Sequence, residues 1–408
     1  MANQIATSDM AALLDEVIKG TDIAASLSKS LRTFDMTDVE AERSGDTMWL
    51  PQEFRFNVQD GIVSTDGDFQ DLIDRMIPIN LEKSKRVLAT IGTKELRDPR
   101  LMKMAAQGMA RDLKNAIDIE CAKAIMNGAT MVQTSATGFA IGDGINSGVL
   151  MDDSGLTGYD RRLILSTPHY AKVATELGQI IRTETNLTAF EKAQIPGIAD
   201  FETMKSAYRL NLIGNATSTI TVNGDQSHTV ATKDGNGFYL DNRSMTLALT
   251  NATTSNFVEG TKFTIAGINR LHPDTHEDSG SLMTFTVKTA GTGTAVIQPA
   301  IVTTGPFRNC SDIANTGNAV VILNATTDAP SLFFTPESTV LVPGNLPVAS
   351  EAQNSSVGVH SAVTEQGIPV RMTYEWDFHN EKVNIKMLAY FDVQVVNPEQ
   401  VGVVLANQ

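Results

Sequence analysis

Within LHPDTHED, residues 271–278, stand His272, Asp274, His276, Glu277 and Asp278, the side-chain types from which metal sites are built. His272 and His276 have the i, i+4 spacing that sets two imidazoles on one helix face, and a nearby carboxylate would complete a metal-dependent hydrolase, with stoichiometric bound metal. Such donors bind a metal only if the backbone brings them to one point. Residues 261–268 and 282–288 alternate apolar with polar side chains, so strands bound the segment, and Pro273 with Ser279-Gly280 makes it a connecting loop. A loop this short holds at most one helical turn. We read it as hydrophilic and exterior, expecting neither metal nor cofactor.

Other signs of chemistry are equally thin. EGTK, 259–262, resembles the end of a phosphate-binding loop, but the upstream glycine is missing and Gly260 does not directly precede Lys262. GTGT, 291–294, sits between alternating β residues and fits a hairpin turn better than a phosphate cradle. There is no G-x-S-x-G elbow, and six scattered histidines define no triad. His169 reads as a surface histidine in the first turn of a helix, and Cys121 as a buried, inert thiol. The chain is expected not to be an enzyme.

The elements that carry these residues follow from length and patterning. At 408 residues the chain is long enough for two or three cores. A net charge of −15 repels phosphate backbones and argues against a dedicated nucleic-acid reader. Two cysteines exclude a disulfide framework and fit a reducing compartment. No basic, apolar leader and no run long enough to cross a membrane is present, so a cytosolic chain without a membrane partner is expected.

Leu13, Leu14, Val17 and Ile18 form one stripe of a short amphipathic helix over 10–20, with Asp15 and Glu16 beside it. From Thr47, TMWLPQEFRFNVQ switches to period two, and Ile77, Ile79 and Leu81 alternate in the returning segment. Pro78 confines that segment to an edge or an exposed ribbon, so the two form a long two-stranded loop whose apolar face needs a cover. Asp98-Pro99 opens a helix of about 30 residues, roughly 45 Å, in which Leu101, Ala105, Met109, Leu113, Ile117, Cys121 and Ile125 recur every four positions. Residues 129–158 show no periodicity and read as a loop with room for one short helix. A strand at 162–165 and a helix from Thr167-Pro168 follow. From 213 to 330 charge thins out, threonine multiplies and short alternating runs appear, which reads as a β-rich domain inserted into another domain. KVNIKMLAYFD is a long strand, and VGVVL a short last one that pairs with it or caps a sheet edge.

Several segments, taken in order, match one family. They are LLDEVI, TMWLP, the long helix, TSTITVNGDQSHT, LDNRSMTLALTNATT with VEGTKFTIAG, AVVILN, TEQGIPVRM and NPEQVGVVL. The chain resembles the major capsid, or coat, proteins of short-tailed bacteriophages that assemble icosahedral heads around an internal scaffolding protein. The resemblance implies an α+β chain with the tailed-phage and herpesvirus capsid fold. Its parts would be an N-terminal arm at 1–45, an extended loop with flanking strands at 46–96, and the spine helix, peripheral domain and start of an axial domain at 97–212. An inserted β-barrel-like domain would occupy 213–330, and the rest of the axial domain with closing peripheral strands 331–408. Such proteins carry a second helix after the spine, where this chain has the glycine-rich 129–158.

The resemblance also implies function. The chain would polymerise as hexamers and pentamers around the scaffolding protein into a precursor shell, in the bacterial host cytoplasm. That shell would expand as double-stranded DNA enters. Expected partners are further copies of itself, the scaffolding protein, a portal protein, packaged DNA held non-specifically, and in some relatives a decoration protein. An exposed ribbon, an unanchored N-terminal helix and an overlong spine independently suit an interlocking subunit, because many weak contacts engaged at once multiply. Asp15 and Glu16 are candidates for attracting a basic scaffolding segment. Lys233, Asp234 and Arg243, in the polar hairpin ATKDGNGFYLDNR, are candidates for ion pairs with a neighbouring capsomer, as in the family's projecting loop. Trp49, Phe54, Phe56, Ile77 and Ile79 are candidates for packing between subunits through the extended loop. The competing reading is a non-viral, adhesin-like β-rich surface protein, which predicts a secretion signal.

Overall fold

The structure is a computed structural model that describes residues 13–17, 27–34, 47–52, 54–56, 73–92, 98–136, 138–179, 197–198, 200–206, 208–215, 219–344, 357–364, 367–377 and 379–408. The chain divides into two compact units. One comprises Met1–Met48, Ile79–Ala122 and Thr339–Gln394, and the other Trp49–Pro78, Lys123–Ser338 and Val395–Gln408.

In the first unit, a six-stranded sheet is organised by the long strand read from KVNIKMLAYFD. Strand β18 (Lys382–Val395) pairs antiparallel with β17 (Pro369–Asp377) and with β4 (Lys83–Gly92), and β16 (Val357–Val363) extends the sheet beyond β17. The expected alternation holds, since Val383, Ile385, Met387, Ala389 and Phe391 are all buried. On the other side β15 (Thr339–Pro343) pairs in parallel with β1 (Arg32–Thr33). Residues 13–17 are helical, and Leu13, Leu14 and Val17 are buried within this chain. The expectation of an unanchored helix is therefore corrected, and its outer turns lie outside the described residues.

Helix α1 (Pro99–Gly128) is the expected 30-residue spine. Asp98 caps it by accepting the Arg100 amide at 2.9 Å. Met109, Leu113, Ile117, Cys121 and Ile125 are buried, while Leu101 at the start is 44% exposed. Burial pushes the Cys121 thiol far up, which keeps it protonated and inert as expected. The helix stops where it must be thin, because a Cβ on Gly128 would stand 2.5 Å from Val395 Cγ2.

The second unit contains a five-stranded sheet and a closed barrel with separate cores. The first has the order β5-β19-β14-β6-β7, with β5 at Met131–Ser135, β6 at Arg161–Leu165, β7 at Phe201–Lys205, β14 at Ser331–Phe334 and β19 at Val401–Ala406. The short strand read from VGVVL is β19, and the sequence-based placement of it is corrected. It neither pairs with β18 nor caps an edge but lies inside this sheet, parallel to β5 and antiparallel to β14, with every residue buried. Helix α2 (Ile141–Asp152) and helix α3 (Thr167–Gln179) belong with this sheet, whose core gathers Phe139, Met151, Leu163, Val173, Phe201 and Phe333.

Helix α2, of 12 residues, lies in the 129–158 segment, which the sequence reads as a loop with room for one short helix. Its buried residues are Gly144, Ser147, Gly148 and Met151, so it packs through small side chains and leaves no apolar period to read. Its start is well capped, with the Ala140 amide donating to Asp143 at 2.8 Å and the Ile141 amide to Glu176 at 2.9 Å.

The inserted domain is a closed antiparallel barrel in the order β10-β11-β12-β9-β8-β13. Its strands are β8 (Ile220–Val222), β9 (Met245–Thr250), β10 (Lys262–Leu271), β11 (Asp278–Ala290), β12 (Thr294–Gln298) and β13 (Ala319–Ile322). Closure leaves no free edge. In its core Phe263 stacks on Phe285 at 5.6 Å between centroids and meets Phe257 at 5.0 Å with the rings tilted. The strands entering and leaving the barrel are tied at its foot, where Leu212 and Asp328 exchange both backbone hydrogen bonds, at 2.8 and 3.2 Å.

Gly144→Leu sets helix propensity against packing. Propensity alone favours leucine by up to about 1 kcal/mol, but a Cβ at this position already sits 3.0 Å from Ile198 Cγ2. We expect overpacking to win, with a net loss of about 1–3 kcal/mol in urea unfolding; a gain in stability would show that small residues are not what seats this helix.

Candidate functional site

Alternation on β10 and β11 points Phe263, Ile265, Phe285 and Val287 into the barrel and turns Lys262, Thr284 and Thr286 outward. Residues of these types on an outer face read as solvated. Here they are buried, with Lys262 at 0% exposure, because that face lies against the C-terminal end of α1 and the segment following it.

The Lys262 ammonium donates to the carbonyl oxygens of Met126 at 2.9 Å and Ala129 at 2.6 Å, and to Thr286 Oγ1 at 3.0 Å. Thr286 and Thr284 donate in turn to the carbonyls of Ala129 and Thr130. Burial pushes the lysine's pKa well below its ordinary value. Against that stand three acceptors for three protons, two of them carbonyls at the negative end of a long helix, an arrangement that suits the charged form and leaves a neutral amine with one acceptor unserved. The EGTK lysine thus holds a helix terminus.

A second tether involves Arg243, expected to face a neighbouring capsomer. Its placement differs from that expectation, since Arg243 is buried, with Nη1 donating to the Val395 carbonyl at 2.5 Å. Nε and Nη2 make a fork to Asp241 at 2.9 and 2.8 Å. Burial works against the Asp241 charge, but the Arg243 hydrogen bonds and charge, helped by Lys288, outweigh it and hold the carboxyl at about 2. Of the other two hairpin candidates, Lys233 is exposed with its ammonium 4.8 Å from the Tyr239 ring, and Asp234 closes the turn by accepting the amides of Asn236 and Phe238. Phe238 projects from the same hairpin, 70% exposed.

The extended-loop candidates also separate. Thr47–Pro51 (β2) and Met76–Asn80 (β3) form a two-stranded sheet, while Phe54–Phe56 lie beyond the ladder and Val58 outside the described residues. Ile77 and Ile79 are buried at 0% and 1% within this chain and have no surface to offer. Trp49 is half-buried against Tyr239, 5.6 Å between centroids. Phe54 and Phe56 remain open at 45% and 62%. In the N-terminal helix Asp15 is exposed, while Glu16 pairs with Lys103 at 3.3 Å and accepts from Gln107.

In the loop at 271–278 Asp274, Glu277 and Asp278 are exposed, and local hydrogen bonds occupy His272 and Asp278. His272 Nδ1 accepts the amides of Asp274 and Thr275, Asp278 accepts from Asn269 and Gly280, and Pro273 packs against Gly155. Among the described residues no three His, Cys, Asp or Glu side chains converge on a point. His169 is corrected from surface to core, stacked on Phe139 at 5.0 Å. Its Nδ1 lies 2.8 Å from Ser331 Oγ and its Nε2 3.6 Å from Asp328 Oδ2. These are the residue types of a hydrolytic triad, which no sequence spacing announced, but Ser331 is fully buried and its Oγ already accepts the Ser166 amide. No substrate reaches it.

A family model described as "P22 coat protein - gene protein 5" matches residues 1–406. Among solved structures, the chain is similar to one titled "CUS-3 coat protein I-domain", at 31% identity over 27% of this chain and 99% of that one, TM-score 0.23. It is also similar to one titled "Mycobacterium phage Che8", at 7% identity over 93% of this chain and 90% of that one, TM-score 0.44. A third, "Asymmetric unit of bacteriophage PhiM1 mature capsid", shares 8% identity over 94% and 87%, TM-score 0.44.

Two measurements probe the tethers. Lys262→Met keeps the volume but takes the donor from the Met126 carbonyl and leaves the Ala129 carbonyl to Thr286 alone, and we expect a loss of about 3 kcal/mol in chemical denaturation; a change below about 0.5 kcal/mol would mean the ammonium is not holding the helix end. For Asp241 the folded-state pKa is depressed, so its contribution is full above the ordinary carboxyl value near 3.8 and fades as pH falls toward about 2. About 2 kcal/mol of stability should disappear across that window, and Asp241→Asn should flatten this part of the profile.

Proposed function

The chain belongs to the P22 coat protein family, and on that premise we propose how it builds the shell of a tailed-phage head, of which it is the structural, non-enzymatic major subunit. Copies associate as hexamers and pentamers around a scaffolding protein in the bacterial host cytoplasm, and the precursor shell expands as double-stranded DNA is packaged. The five-part division into arm, extended loop, spine with peripheral domain, inserted barrel and axial remainder describes the subunit in that lattice.

The observation that carries this reading is the pair Phe54 and Phe56, two aromatic side chains left open just past the β2 ladder. A monomer gains nothing from them, whereas a neighbour covering them gains about 1.5–3 kcal/mol for each. Phe238 and Lys233 supply a second outward surface on the barrel hairpin, suited to a neighbouring capsomer. Asp15, exposed on the N-terminal helix, and Glu16, which pairs with Lys103, are the carboxylates proposed to attract a basic scaffolding segment. A net charge of −15 limits adhesion of packaged DNA to the shell, and a portal protein and, in some heads, a decoration protein complete the set of partners.

The test is co-expression with the scaffolding protein, followed by electron microscopy and sedimentation. Phe54→Ser with Phe56→Ser should leave the subunit's melting temperature unchanged and cut the yield of shells at least tenfold; wild-type yield would remove the loop from the contact. In the same preparations Asp15→Lys should lower the scaffolding protein retained per shell, and unchanged retention would exclude the carboxylate from that role.

A further inference from the structure

Two cavities in the second unit are walled by arginine, in a chain whose overall charge is strongly negative. The larger, about 60 Å³, is lined by Arg55, Arg75 and Arg243 together with Asn242, Asn309 and Glu399. The smaller, about 30 Å³, shares Arg55, Asn309 and Glu399 with it and adds Arg270 and Arg308. Among the described residues one carboxylate, Glu399, stands in the lining with these five guanidinium groups, while Asp241 pairs with Arg243 and Asp153 acts on Arg270 from outside it.

Their partners leave positive charge over. Arg243 is matched by Asp241. Arg270 donates to the hydroxyls of Ser154 and Thr284, and Arg308 to the His276 carbonyl, so both meet neutral acceptors. Arg75 lies over the Phe307 ring at 4.7 Å, and its Nε is sealed from solvent with no acceptor among the described residues; the Nε of Arg308 is in the same condition. Glu399 spends Oε1 on the Asn309 amide at 3.1 Å. Burial lowers the pKa of Arg75, Glu399 opposes that, and Arg55 and Arg243 add to it, so the cation is held at a disadvantage that another anion would relieve.

We propose that the larger cavity is a binding site for a small tetrahedral oxyanion of the inorganic phosphate class, held by Arg55 and Arg75. Guanidinium forks match the edges of such an ion. At roughly 10–15 Å³ per water-sized group the cavity takes about four to six of them, the size of one phosphate. A nucleic-acid backbone is the wrong occupant, since it brings many phosphates to a negatively charged chain where the space admits one. The inference does not depend on the assembly reading above.

Equilibrium dialysis of the full-length subunit with radiolabelled inorganic phosphate, at fixed ionic strength in chloride, tests it. The expected result is saturable binding approaching one phosphate per subunit, competed by sulfate. Arg75→Met and, separately, Arg55→Gln should each weaken it at least tenfold, and Arg111→Gln, an exposed arginine elsewhere, should not. Arg55→Gln carries the test if Arg75→Met fails to fold, as judged by circular dichroism. Binding below one per ten subunits, or equal affinity in wild type and Arg55→Gln, overturns the proposal.

Discussion

A cation removed from water holds only where each of its protons finds an acceptor, and Lys262 meets that condition at the end of a 30-residue helix. A long helix leaves its last carbonyls without partners, and a barrel inserted into another domain needs a fixed seat. One side chain answers both needs. The threonines beside it repeat the solution on a smaller scale, so the outer wall of β10 and β11 meets the helix end as a ladder of donors on carbonyls. The second tether, through Arg243 and the Val395 carbonyl, and the Asn309 amide on Glu399 extend the same polar logic. An apolar seam tolerates sliding and repacking, whereas hydrogen bonds to fixed carbonyls have one register.

Patterning reveals what depends on large apolar side chains and hides what depends on small or polar ones. The spine could be read because Met109, Leu113, Ile117, Cys121 and Ile125 are big and regularly spaced. The long strand could be read because five alternate residues from Val383 to Phe391 are apolar. The barrel was legible as a class from its threonine-rich alternation, and it closes as expected of an inserted β domain. The extent of helix α2 was not legible, since Gly144, Ser147 and Gly148 pack by being small. Nor was the position of β19, because a continuous apolar run says that a strand is buried and not which neighbours bury it.

The candidate residues divide on the same principle. Phe54 and Phe56 could be named in advance because an apolar side chain next to a ribbon is conspicuous wherever it points. Ile77 and Ile79 share that type, and only the fold reveals that their own chain covers them. Charged residues are the least legible of all. Arg243 and Lys262 look like surface groups in one dimension and are interior struts in three, while the fivefold arginine gathering draws on positions 55, 75, 243, 270 and 308 and has no linear signature. The same holds for His169, Asp328 and Ser331, whose juxtaposition comes from long-range strand pairing.

The interior position of β19 has a consequence for the order of events at the ribosome. Residues 401–406 emerge after every strand they must join, and they fill the slot between β5 and β14, some 270 and 70 residues upstream. Until then two strand edges stand open, each a template for pairing with the wrong chain. The barrel, tied at Leu212 and Asp328, is complete well before that moment and can fold as a closed excursion with its own core. A nascent subunit therefore carries a finished barrel on an unfinished sheet, and the insertion of one six-residue strand turns an aggregation hazard into a building block.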